Sequence, residues 1–173
     1  MSEGRTPNGR GFHKASQPEP KNHLMREQLI GRLKLADPAS DIPPVVSLED
    51  YFEGNTQETS IAPNQVDEGR PRLERMYGIL KAIKARPDVQ TVVVGLHSEW
   101  TDAMSDPDLW PAGEHIHIYT TAKSIEVEDW VKELRCDGVL GGSLFFRNPW
   151  PNGKHSWAPE PLPGYRVLTV VWD

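Results

Sequence analysis

The chain has one cysteine in 173 residues, Cys136, so no disulfide can close within it and a thiolate zinc cluster is excluded. With Leu134 before it and Asp137-Gly138 after it, Cys136 reads as a small apolar filler at the end of a helix rather than a reactive thiol. Long apolar runs are lacking too. No stretch approaches the roughly 18 apolar residues that span a bilayer, and the opening MSEGRTPNGRGFHKASQPEPKNH has no apolar centre of a signal peptide. These features point to the cytoplasm and away from a membrane. Positive charge is scarce: Lys and Arg number 19 against 25 Asp and Glu, a net charge of −6. That balance argues against nucleic acid and favours a neutral or basic protein partner.

The common catalytic signatures are absent. There is no G-x-S-x-G elbow, no G-x-x-x-x-G-K-[ST] loop and no H-E-x-x-H pair. Gly138 to Gly142 (GVLGG) follows a predicted helix, whereas a phosphate cradle lies between a strand and a helix start, so a structural turn is expected there.

What is present divides at the paired prolines Pro43-Pro44. Residues 1–42 are rich in Pro, Gly, Ser and Asn and read as a flexible arm. One stretch within it, 25–35 (MREQLIGRLKL), spaces Leu29, Ile30, Leu33 and Leu35 for a short helix that docks on the domain. Residues 43–173 read as a single α+β domain. Val45-Val46 begins a first strand, and Ser47-Leu48-Glu49-Asp50 has the capping-box form for a short helix through Tyr51-Phe52. Asn55 to Gly69 is polar and turn-rich.

After Pro71, the intervals of Leu73, Met76, Tyr77, Leu80 and Ile83 predict a helix that Pro87 ends. VQTVVVGL (89–96) has the β-branched density of a buried strand. HIHIYTT (115–121) alternates, with Ile116 and Ile118 on one face and His115, His117 and Tyr119 on the other. A helix begins at Ser124 with Val127, Trp130, Val131 and Leu134 inward, and YRVLTVVW (165–172) closes the sheet. The order β-α-β-β-α-β suggests a ferredoxin-like sheet with two helices on one face and long aromatic, proline-rich loops, the final strand lying beside the first.

Three sets of residues could carry function. His97, Glu99, His115 and His117 supply imidazoles and a carboxylate on neighbouring strands, a donor set that suits a divalent metal such as zinc; no other cofactor is expected. Without metal, His97 or His115 could act as a base oriented by Glu99 or Asp102, with Arg147 for an anionic substrate. The third set lies in the loops: Trp100, Trp110, Phe146, Arg147, Trp150 and Trp157 form an aromatic surface, and Asp106 and Asp108 add negative charge, the composition of a protein-binding face.

Val45 to Asn55 (VVSLEDYFEGN), Ser60 to Asn64 (SIAPN), Ala82 to Val94 (AIKARPDVQTVVV) and the ending Pro161 to Asp173 (PLPGYRVLTVVWD) resemble a group of uncharacterised bacterial proteins with a VSLEDYFEGN-type start and a VVWD-type closing strand. The resemblance covers residues 45–173 and implies a bacterial protein with one domain; it brings no activity with it. The leading expectation is a non-catalytic binding protein, an immunity or regulatory factor with an acidic and aromatic partner surface. The alternatives are a small metal- or His-dependent enzyme and a homo-oligomeric structural protein, a homodimer in the simplest case.

Overall fold

The computed structural model describes residues 20–141 and 157–172. Helix α1 spans Pro20–Leu33, opening on a proline at the position where a helix loses nothing by it. Leu29 and Leu33, one turn apart, enter the main core. The apolar intervals begin only at Met25, so the polar first turn carries no sequence signal. Arg32 pairs with Asp50 across to the next helix.

Strand β1 covers Val45–Ser47 and runs directly into α2, Leu48–Phe52. The junction is set by Ser47, whose hydroxyl accepts from the Asp50 amide at 3.0 Å as the capping box requires. Helix α3 spans Leu73–Lys84 and buries Leu73, Met76, Leu80 and Ile83, each contributing about 1.5–3 kcal/mol by its removal from water. Strand β2 is Val89–Leu96, α4 is the single turn Asp102–Ser105, and β3 is Gly113–Thr120. Helix α5 spans Ser124–Trp130; its capping position falls on Lys123 rather than Ser124, with Glu126 reaching back to the Lys123 amide at 2.9 Å. Cys136 follows the end of this helical region, half-buried, and burial pushes its thiol pKa up, in keeping with a filler.

Gly138–Gly141, expected to be a turn, forms β4, an edge strand antiparallel to β5 (Arg166–Val171). Gly141 lies close against its partner strand, where a Cβ would come within 3.1 Å of Leu168 Cδ2. The five strands are ordered β1-β2-β3-β5-β4, and every neighbouring pair is antiparallel. In place of the split ferredoxin-like order, the last strand lies between β3 and β4, and β1 takes the far edge beside β2. The extra strand β4, invisible as a glycine-rich segment, accompanies this rearrangement.

Val46, Val92, Val94, Leu96, Ile116, Ile118, Leu168 and Val170 meet the helices in the main core, while Val45, Val93, Tyr119, Val167 and Ala158 cluster on the second face. The alternation predicted for β3 is therefore present. Residues 158–162 cross the second face as a strap, held by Tyr119 Oη donating to Pro159 O at 2.8 Å and by both ends of the Gln90 amide, to Glu160 O and from Leu162 N. Among the described residues no helix is long and apolar enough to cross a membrane.

Candidate functional site

Strand β2 ends at Leu96 and the chain turns at once into a 3-10 segment, Ser98–Thr101. His97 and Glu99 thus leave the strand's alternation. His97 N still donates to Ala112 O at 2.8 Å, keeping the turn against the start of β3. A cavity of about 310 Å³ opens here, lined by His97, Glu99, Asp102 and Trp110 on one side and by Gln57, Thr59, Ser60 and Asn64 on the other. Its size falls in the range of small-ligand pockets.

The wall from the loop is fixed by a chain of hydrogen bonds. Asn55 Nδ2 donates to Ser60 Oγ at 3.0 Å, Tyr51 Oη to Ser60 O at 3.0 Å, and the Trp110 amide to Gln57 Oε1 at 2.7 Å. Tyr51 is fully buried, and burial holds its phenol pKa well above the usual value, so it stays a neutral donor. It reaches Ser60 across Gly113, where a Cβ would lie 2.8 Å from the Tyr51 oxygen; glycine is required for that approach. Ile61 bridges to Gly113 in parallel. The other wall is gripped from α1: Arg26, 6% exposed, donates from Nε to Leu109 O at 2.8 Å and from Nη2 to Ala103 O at 2.7 Å and Asp106 O at 2.9 Å.

The imidazole of His97 accepts at Nδ1 from the Glu99 amide at 3.0 Å. Its neutral ring accordingly carries the proton on Nε2, which is a donor. A general base of the triad kind needs the reverse arrangement, with Nδ1–H held by a carboxylate and the Nε2 lone pair facing substrate. Glu99 and Asp102 are exposed at the mouth, three residues apart on consecutive helical turns. Two polar atoms of the lining residues, Thr59 Oγ1 and Trp110 Nε1, are buried with no hydrogen-bond partner among the described residues.

The four residues expected as metal donors are divided. His97 and Glu99 line the cavity, whereas His115 and His117 stand on the second sheet face, their rings 6.0 Å apart and edge to face. His117 is buried, its Nδ1 is 2.8 Å from Thr169 Oγ1, and Gly95 makes room for its ring, since a Cβ there would lie 2.5 Å from Nε2. The cause is the end of β2 at Leu96, which turns the chain out of the pleat. Among the described residues no group of three or more His, Cys, Asp or Glu is placed to hold a metal ion.

The loop aromatics are likewise divided. Trp100 and Trp110 are 3% and 7% exposed and belong to the main core, so they pack the loop and offer little contact surface. Trp157 is half exposed but lies beside the strap on the second face. Asp106 and Asp108 are partly buried in the segment between α4 and Trp110, where Asp106 Oδ1 accepts from the Asp108 amide at 3.0 Å. Phe146, Arg147 and Trp150 lie outside the described residues.

The family described as "Uncharacterized protein YfbO family" matches residues 24–170. The chain belongs to the YfbO family. A relative in Escherichia coli (strain K12), "Uncharacterized protein YfbO", is 33% identical over 132 residues, which are 75% of this chain and 83% of the relative. The match begins inside α1 and so takes in Arg26, ahead of the segment that the sequence motifs cover. No solved structure matches the chain. Of the cavity residues, Gln57, Thr59, Ser60 and Asn64 came from a loop with no chemical pattern; the one signal was the SIAPN segment of the sequence resemblance, which contributes Ser60, Pro63 and Asn64 to the wall.

Proposed function

We propose that the chain is a non-catalytic protein-binding factor, of the immunity or regulatory kind, whose partner-facing surface is the acidic rim formed by residues 97–109. The observation that carries this reading is the hydrogen bond at His97: Nδ1 is occupied by the Glu99 amide, so the ring offers a donor to a ligand and not a lone pair to a substrate. Glu99 and Asp102 at the mouth, with Asp106 and Asp108 following, suit a basic partner, and the net charge of −6 steers such a partner from a distance.

Affinity purification from the native bacterium in mild salt, with a tag free of histidine, tests the reading. Wild type and His97→Gln, which keeps a side-chain donor, are expected to return one protein at near-equal amount. Glu99→Gln/Asp102→Asn is expected to return about tenfold less, since rim charges govern encounter with a basic surface. Recovery of the chain alone, or turnover of a small molecule that vanishes in His97→Gln, would move the assignment to an enzyme.

A further inference from the structure

We infer that the cavity beside His97 receives a neutral amide carbonyl, held by two side-chain N–H donors, Gln57 Nε2 and His97 Nε2. This rests on the protein-binding reading and names the group that the partner inserts. Gln57 lines the cavity and is 5% exposed. Its Oε1 accepts from the Trp110 amide at 2.7 Å, which fixes the side-chain nitrogen on the opposite side. Among the described residues that nitrogen has no acceptor, and it is not one of the unpartnered atoms sealed off by the surrounding protein. In a side chain buried to this extent, the opening left to Nε2 is the cavity that the residue lines. His97 supplies the second donor. Its Nδ1 accepts from the Glu99 amide, so the ring proton is on Nε2, which is likewise neither partnered among the described residues nor sealed. Both side chains are tied to one short segment, Gln57 through the Trp110 amide and His97 through its own amide, which donates to Ala112 O at 2.8 Å. Those two anchors are two residues apart, about 7 Å at most along the chain.

Two N–H donors call for an acceptor. No Lys or Arg is found among the described lining residues, so a carboxylate or phosphate would lose its water with no cation in return. A neutral amide oxygen avoids that cost and has two lone pairs, one for each donor. Pro63, Ala103, Leu109 and Ala112 give the rest of the wall an apolar lining for the ligand's carbon frame, the usual division of labour in a small-ligand pocket. The frame around the cavity, held by Asn55, Ser60 and Tyr51 on one side and by Arg26 on the other, means that the site needs little ordering when it fills.

The test uses the full chain and N-methyl-2-pyrrolidinone, an amide carbonyl on a small apolar ring, with its thione analogue, whose sulfur is a weak acceptor, as the control. Binding is read by the side-chain NH2 resonances of Gln57 and the backbone amides of Ala112 and Gly113. The expected result is a saturable shift with the amide, at least about fivefold tighter than with the thione because the two hydrogen bonds weaken with the acceptor. Gln57→Glu keeps the acceptor for the Trp110 amide and removes the N–H; His97→Phe keeps a ring and removes the second donor. Each is expected to weaken the amide at least about fivefold, and His97→Phe, at a half-buried position, decides the matter if Gln57→Glu disturbs folding. No saturable shift, equal binding of the thione, or unchanged affinity in His97→Phe would overturn the site. Failure here with partner capture still dependent on Glu99 and Asp102 overturns the carbonyl site and leaves the binding reading standing. Amide binding without any captured partner supports the site, as one for a free small amide, and removes the binding reading.

Discussion

Arg26→Ala is expected to lower the unfolding free energy by about 3 kcal/mol, read as a fall in the urea midpoint at unchanged slope. The guanidinium makes three hydrogen bonds to main-chain carbonyls of Ala103, Asp106 and Leu109, at 2.7 to 2.9 Å. It sits at the C-terminal end of α4, where the last carbonyls have no helical partners and a cation is favoured. Alanine removes a charged donor and leaves the carbonyls without it in a place that water enters poorly. The loss reaches the site, because Ala103 and Leu109 line the cavity. The variant should therefore also weaken partner capture, although Arg26 touches no ligand. A change below about 1 kcal/mol would show that the loop keeps its shape without this clamp.

Glu58→Ala is expected to cost about 3 kcal/mol, and Arg70→Met only about 1 kcal/mol. Glu58 Oε1 accepts from Arg70 Nη2 at 2.7 Å and from the Leu73 amide at 3.1 Å. It thus supplies the acceptor that α3 lacks at its own start, where Arg72 makes no side-chain cap. The Arg70 side chain is 1% exposed, its Nε has no acceptor among the described residues, and burial pulls its pKa down while Glu58 holds it up. Removing Glu58 strands a buried cation and uncaps a helix. Removing Arg70 leaves a carboxylate that is 30% exposed and can be hydrated. Urea unfolding of both variants checks the order, and a larger cost for Arg70→Met would contradict it.

Periodicity carried the elements that bury one face. The intervals of Leu73, Met76, Leu80 and Ile83 and the alternation of His115 to Thr120 correspond to α3 and β3, because in both cases the side-chain period is the signal itself. Strand order is a matter of long-range pairing, and nothing local distinguishes a last strand beside β1 from one beside β3. Gly138–Gly141 has almost no side-chain pattern, so β4 is specified by β5 and not by its own residues. The site was half legible. His97 and Glu99 were visible as chemistry, but their separation from His115 and His117 depends on where β2 stops. Trp100 and Trp110 could be read from the sequence either as loop packing or as a partner surface; two short turns bury them, as packing requires. Arg26 was a polar residue between apolar ones, and its role appears only when the α4 segment folds over it.

The measurement that bears most directly on the acidic rim is the dissociation constant of the captured complex against salt concentration, for wild type and for Glu99→Gln/Asp102→Asn. Exposed charges are screened within about 10 Å at 0.1 M salt. The wild-type complex should therefore weaken steeply as salt is added, and the double variant should start weaker and follow a shallower slope. Equal slopes for the two proteins would mean that the partner does not meet residues 97–109, and would contradict the proposed function.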